Sequence, residues 1–197
     1  ATKADGGGLG QTLDKADAAL VRIERVLEQI LLLARIEATG TRPALERVDV
    51  AALARGVTAD LLPLAVRLGK DLGYDGPERA VAMSEEVLLG ELLRNLVGNA
   101  LTHCPPDTMV TVHVGAPGPS GLQLDVVDTG PPVSGSQLAL LAARLAPGLE
   151  HGEVRMGTRG LGLHIVAEIA HALRAEVRLG RGRDGRGISV SVTLPSA

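Results

Sequence analysis

The 197-residue chain contains no phenylalanine, no tryptophan and a single tyrosine, Tyr74. Any core must therefore be aliphatic, packed from Leu, Val, Ile and Ala. Proteins that hold single-stranded nucleic acid stack bases on aromatic rings, so this composition removes that class. An excess of positive charge is missing as well. Lys and Arg number 20 against 23 Asp and Glu, a net charge of −3, which argues against a polyanion binder; no nucleic acid is expected as a partner. One cysteine, Cys104, forms no intramolecular disulfide and fits a reducing, cytoplasmic setting. Long apolar runs are absent too. The runs Leu138 to Ala143 and Ile30 to Ala34 end at Arg144 and Arg35, well short of the roughly 20 residues of a spanning helix. No membrane contact is expected of this part. The start has no basic stretch leading into an apolar one, so no signal peptide is read there.

What is present reads as a folded domain with an appendage, since hydrophobic residues make up 45% and charged residues 22%. Residues 1–11 are glycine-rich and read as a flexible lead-in. Leu13, Ala16, Leu20, Ile23, Leu27, Ile30 and Ala34 then alternate spacings of three and four, a heptad seam that predicts a long amphipathic helix within 12–40. Thr39, Gly40 and Pro43 end it. Such a helix packs either on its own domain or against a second copy. The glycine leader and the Gly/Pro stop, which isolate it, favour a dimerisation helix over residues 13–37. From Val48 to the end the order is helix, strand, strand, helix, hairpin, connection, helix, hairpin. Asp49 is the expected N-cap of the first helix and Ser84 that of the second. This order predicts an α+β two-layer sandwich, with helices on one face of a mixed, mostly antiparallel sheet.

Three segments carry candidate chemistry. Glu91, Asn95, Asn99 and His103 are four apart and share one helical face. Asn is a poor residue for a helix interior, so two of them there suggest a polar site. Neutral amide oxygens suit a hard cation such as Mg²⁺, although the same stripe also fits a solvated or internally bonded ridge. Next, Leu124-Asp125-Val126-Val127-Asp128-Thr129-Gly130 sets Asp128 at the end of an apolar strand. A buried carboxylate there can accept a hydrogen bond from an exocyclic amine, and an ordinary Asp-x-Gly turn has the same signature. Finally, Gly157-Thr158-Arg159-Gly160-Leu161-Gly162-Leu163 runs into a helix. Glycines allow the backbone close to phosphates, and a helix N-terminus offers free N–H groups. The segment is neither a P-loop nor a dinucleotide fingerprint, because it lacks Gly-Lys-Ser/Thr and no βαβ unit surrounds it.

In this order the three segments resemble the ATP-binding catalytic domain of sensor histidine kinases, a Bergerat-type ATP-binding fold shared with MutL and DNA gyrase. Asn95-Leu96-Val97-Gly98-Asn99-Ala100 is similar to the family's N box. Asp128-Thr129-Gly130 is similar to its first glycine box, and Gly160-Leu161-Gly162-Leu163 to its second. The likeness spans the domain 48–197, and the arm before it looks like the second helix of the family's dimerisation hairpin. The resemblance implies ATP and Mg²⁺ as cofactors, with Asn99 reaching the metal and Glu91 and Asn95 as catalytic candidates. It implies that Asp128 reads the adenine amine and that Gly130, His103 and Asn95 line the nucleotide. It has Thr158, Arg159, Gly160, Leu161, Gly162 and Leu163 wrap the phosphates under a lid at about 131–157. The expected reaction is γ-phosphoryl transfer to a histidine and relay to a response regulator receiver domain, by a homodimer whose parent is membrane-anchored.

Four departures stand out. Pro131-Pro132 follows Gly130 where the family carries a second glycine, the lid has no phenylalanine, and Thr102 occupies a place where a base often holds phosphate. The phosphoacceptor is also missing: His103, His113, His151, His164 and His171 all lie beyond the arm, so the piece reads as lacking the first hairpin helix. A dimeric module that has lost nucleotide binding, and an anti-sigma-type serine kinase, are the alternatives. The run Arg178, Arg181, Arg183 and Arg186 reads as a solvated hairpin turn, and Cys104 as a helix-end packing residue.

Overall fold

The structure is a computed structural model in which residues 43–145 and 161–197 are described. All of them belong to the unit Thr41–Ala197. The expected arm at 13–37, the lead-in at 1–11 and the loop residues Thr158, Arg159 and Gly160 lie outside the described residues.

Alternation builds the sheet. Strands β1 (Glu46–Asp49), β2 (Asp71–Asp75), β3 (Val81–Ser84), β4 (Met109–Val114), β5 (Leu122–Asp128), β6 (Glu176–Arg181) and β7 (Ile188–Leu194) form two sheets. Five strands run in the order β2-β4-β5-β7-β6, and β1 pairs with β3 as a separate ribbon. Only β2–β4 is parallel; the other pairs are antiparallel. Along β4, β5 and β7 every second residue is buried: Val110, Val112 and Val114; Leu122, Leu124 and Val126; Val190, Val192 and Leu194. On β5 that buried set continues to Asp128. The period of two that puts leucine in the core thus also puts a carboxylate there.

Among the described residues, four α-helices accompany the sheet: α1 (Val50–Arg67), α2 (Glu86–His103), α3 (Gly135–Ala143) and α4 (Leu161–Ala172). α2 lies between α1 and α4 and over β4 and β5. Its inner side is Leu88, Leu89, Leu92, Leu93, Leu96, Val97 and Leu101, which fills the aliphatic core without an aromatic ring. Burying each such side chain contributes about 1.5–3 kcal/mol, so leucine number compensates for the missing rings. Among the described residues no helix is long and apolar enough to cross a membrane.

Several local expectations meet their physical outcome here. Asp49 caps α1, its Oδ1 accepting from Ala52 N at 3.2 Å, and the same oxygen accepts from Ala80 N at 3.3 Å. Ser84 does not cap α2. It ends β3, opposite Glu46, and its buried hydroxyl makes no hydrogen bond among the described residues. Glu85 caps instead, because its longer side chain reaches Val87 N at 3.2 Å and Leu88 N at 2.7 Å. The first strand, β1, was not expected; its four residues have one buried position, too few for a period. β2 and β3, adjacent in sequence, lie in different sheets, since β2 finds β4 and β3 finds β1.

Candidate functional site

A cavity of about 420 Å³ opens where α2, the ends of β5 and β7, α3 and the start of α4 meet. That volume falls within the range of small-ligand sites, about 300–1,000 Å³. Its walls are aliphatic: Leu96, Val126, Leu141, Leu179, Ile188 and Val190. Polar groups are few, and they converge. Asp128, Asn99, His103 and Cys104 all reach the lining.

Asp128 is 6% exposed, and backbone donors fix its carboxylate. Gly130 N donates to Oδ1 at 2.8 Å and Ile188 N to Oδ2 at 3.2 Å. Backbone N–H groups thus satisfy both oxygens of this buried acid. Gly130 must be glycine here: a Cβ would stand 2.7 Å from Asp128 Oδ1 and 3.3 Å from Cys104 Sγ. Cys104 caps the C-terminal end of α2 through its backbone N–H to Ala100 O. Burial first, then the Asp128 charge and its hydrogen bond, push the thiol up from 9.0 to about 12, against a smaller opposing pull from Lys70. The thiol is therefore neutral near pH 7, as expected for a packing residue rather than a nucleophile. Lys70, 8% exposed, donates from Nζ to Leu101 O at the same helix end.

The four-residue stripe on α2 divides. Asn99 and His103 line the cavity, while Asn95 and Glu91 do not. Asn95 is 2% exposed and donates from Nδ2 to Glu91 O at 2.8 Å. The Glu91 carboxylate stands 4.0 Å from Arg94 Nη1. One end of the stripe faces the ligand space, where the start of α4 meets α2 at Asn99, and the other lies away from it. Thr102 bonds back to Gly98 O at 2.7 Å and is absent from the lining.

From the opposite side, α4 starts at Leu161, with Gly162 and Leu163 on the cavity. A Cβ on Gly162 would sit 2.7 Å from Asn99 Nδ2 and 2.8 Å from Asn99 Oδ1. This glycine therefore lets the Asn99 amide occupy the mouth between the two helices. The helix N-terminus there directs N–H groups and partial positive charge at the same space. Pro131, Pro132 and Val133 also line the cavity, followed by Gln137 and Leu141 of α3 and its C-cap Arg144. That helix has no buried residue and is held at its start by a capping box of Ser134 and Gln137.

The β6–β7 hairpin belongs to the site and was not expected to. Leu179, Gly187, Ile188 and Val190 form one wall. The sequence signal was the glycine spacing Gly182, Gly185, Gly187, which reads equally well as a plain turn. Arg178, Arg181, Arg183 and Arg186 are all exposed there, as a solvated turn requires.

A sheet whose buried stripe ends in a carboxylate, under a helix presenting an amide and beside a second helix's N-terminus, frames an aliphatic α+β pocket with a few polar groups on its wall. The chain belongs to the family described as histidine kinase-, DNA gyrase B- and HSP90-like ATPase, which matches residues 84–197 and brings with it an ATP-binding domain. Among curated relatives, the swarming motility regulation sensor protein RssA of Serratia marcescens is 31% identical over 193 residues, covering 97% of this chain and 39% of its own length. The sensor protein kinase PmrB of Pseudomonas aeruginosa is 32% identical over 176 residues, covering 88% and 36%. The chain thus spans less than half the length of these relatives. Among solved structures, full-length ShkA in complex with AMPPNP superposes with a TM-score of 0.73 at 24% identity, over 100% of this chain and 40% of that one. The nucleotide-free catalytic domain of the histidine kinase ThkA gives 0.64 at 16%, over 78% and 98%. The predicted α+β architecture is the fold these structures share.

Proposed function

We propose that this chain is the ATP-binding catalytic core of a two-component sensor histidine kinase. Asp128 carries the reading: a buried carboxylate, held by two backbone N–H groups, on the wall of a base-sized aliphatic cavity. A ring amine is the natural donor for such an acceptor, and aliphatic walls suit a planar apolar ring. The phosphates of the same ligand would lie toward the N-terminus of α4, with Gly162 and Leu163 beside them. Asn99 fits Mg²⁺: its amide carbonyl is a neutral hard ligand at the mouth, one suited to a cation held mainly by phosphate and water. When bound, that cation neutralises charge on the transferring phosphoryl group, and this chain's residues contribute positioning. Glu91 and Asn95 support α2 from within the helix layer and are assigned that role ahead of contact with the ligand.

The reaction is γ-phosphoryl transfer to a histidine of the dimerisation hairpin, then relay to a receiver-domain aspartate. Relatives named as sensor proteins support it, as does the solved complex of ThkA with the response regulator TrrA. Homodimerisation through residues 13–37 and a membrane-anchored parent belong to the same reading.

A dimeric module of the same fold that has lost nucleotide binding, suggested by Pro132, Thr102 and the missing lid phenylalanine, is the alternative. Calorimetric titration with ATP, with and without Mg²⁺, tests the proposal. Saturable binding strengthened by Mg²⁺ is expected; folded protein that binds nothing at millimolar ATP refutes it. Phosphorylation of a supplied histidine-bearing hairpin then tests the transfer step.

A further inference from the structure

The β6–β7 turn lies outside the three motif segments, yet it is built against the side chain that would choose the base. Gly187 is buried and adopts φ +63, and its N–H is committed to Pro131 O. A Cβ added at Gly187 would fall inside the van der Waals shells of both Asp128 O and Asp128 Oδ1. One residue on, Ile188 N donates to Asp128 Oδ2 at 3.2 Å. On the other limb of the turn, a Cβ at Gly182 would stand 2.8 Å from Asp128 O. Gly182 N donates to Gly187 O at 3.1 Å, which ties the two limbs together. The turn therefore lies against the peptide and both carboxylate oxygens of one residue.

We propose that Gly187 is a positioning residue that sets base selectivity by fixing the Asp128 carboxylate. This rests on the nucleotide reading above. Gly130 N and Ile188 N engage one lone pair on each oxygen, and the Cys104 thiol bonds the same carboxylate, which lines the cavity, so these donors set its direction. A side chain at 187 would rotate the carboxylate away from Ile188 N. An acceptor aimed at a ring amine would then become one of undefined direction, and it would discriminate poorly between an amine and a carbonyl.

The test compares dissociation constants for ATP and for inosine triphosphate, which has a ring carbonyl where ATP has its amine. Gly187→Ala is set against Gly185→Ala. Gly185 sits in the same turn at φ +73, with nothing within 4 Å of its would-be Cβ, so it shares the backbone strain without the contact. The wild type should prefer ATP. Gly187→Ala should narrow that preference about tenfold or more, the scale of a hydrogen bond to a charged group, while Gly185→Ala keeps the wild-type ratio. An unchanged ratio in Gly187→Ala, or an equal loss in Gly185→Ala, overturns the inference. Should Gly187→Ala fail to fold, Ile188→Pro, which removes the N–H to Oδ2, is judged by the same ratio. A wild type that binds ATP and inosine triphosphate equally overturns the amine-reading role of Asp128 and the inference with it, whereas a selective wild type with an unchanged Gly187→Ala ratio overturns the inference alone.

Discussion

Replacing Asp128 with Asn probes the centre of the site while leaving its volume almost unchanged. The carboxylate satisfies two backbone donors, Gly130 N at 2.8 Å and Ile188 N at 3.2 Å, with one oxygen each. An amide has only one oxygen. Whichever donor it keeps, the other faces an NH₂ group in a position only 6% exposed. A hydrogen bond to a charged group is worth about 1.5–3 kcal/mol, and a buried donor left unsatisfied adds a desolvation penalty. Removing a buried charge returns part of that loss, because the carboxylate no longer has to be desolvated. The expected net is about 2 kcal/mol of stability, roughly 4–8 °C in Tm for a domain of this size. One carboxylate oxygen becomes an NH₂ donor and the remaining acceptor loses its charge, so ATP affinity should fall at least about tenfold. Scanning calorimetry and nucleotide titration read the two effects separately. If Asp128→Asn melts within a degree of wild type and binds ATP equally well, the carboxylate is neither held as described nor used for recognition.

Other substitutions test neighbouring parts of the structure. Gly162→Ala should favour helix α4 intrinsically by up to about 1 kcal/mol, since glycine is a poor helix former. Its Cβ nevertheless lands 2.7 Å from Asn99 Nδ2, so Mg²⁺-dependent nucleotide affinity should drop even if Tm holds or rises; unchanged Mg²⁺ dependence would separate Asn99 from the metal. The Cys104 thiol, raised from 9.0 to about 12, should alkylate slowly in the native protein, with about a thousandfold less thiolate at pH 8 than in the unfolded chain. Because the folded value lies above the unfolded one, the stability linked to this proton is complete below pH 9 and is lost as pH rises from 9 toward 12; Tm should fall more steeply across that window in wild type than in Cys104→Ala. Asp49→Ala removes a cap and the tie to Ala80 N, and should cost about 1–2 kcal/mol in denaturant melts without altering nucleotide affinity.

What the sequence discloses follows the range of the forces involved. The alternation of β5 and the 3.6-residue stripe of α2 are local patterns, and from them both the architecture and the placement of Asp128 and Asn99 can be read. Caps are local too, but Ser84, the cap expected from its residue type, is claimed by the ladder with β1, and Glu85 takes the role instead. The partition of Glu91, Asn95, Asn99 and His103 depends on where α4 crosses α2, and no spacing encodes that. The contribution of Gly187 and Ile188 depends on a hydrogen bond between residues 60 apart in the chain. Glycine punctuation marks a turn there and says nothing about what the turn touches.

The same long-range bond bears on how the protein comes into being. Asp128 emerges during synthesis well before Ile188, and β5 obtains its second neighbour only when β7 docks beside it. Until then the carboxylate has a single donor and the cavity lacks a wall. Contacts this distant in sequence close late, because the intervening chain must first give up its freedom. A nascent or truncated chain would therefore carry every motif of the first two segments yet offer no organised pocket. Nucleotide could then stabilise only molecules whose last hairpin has already closed, making ligand a selector for completed chains.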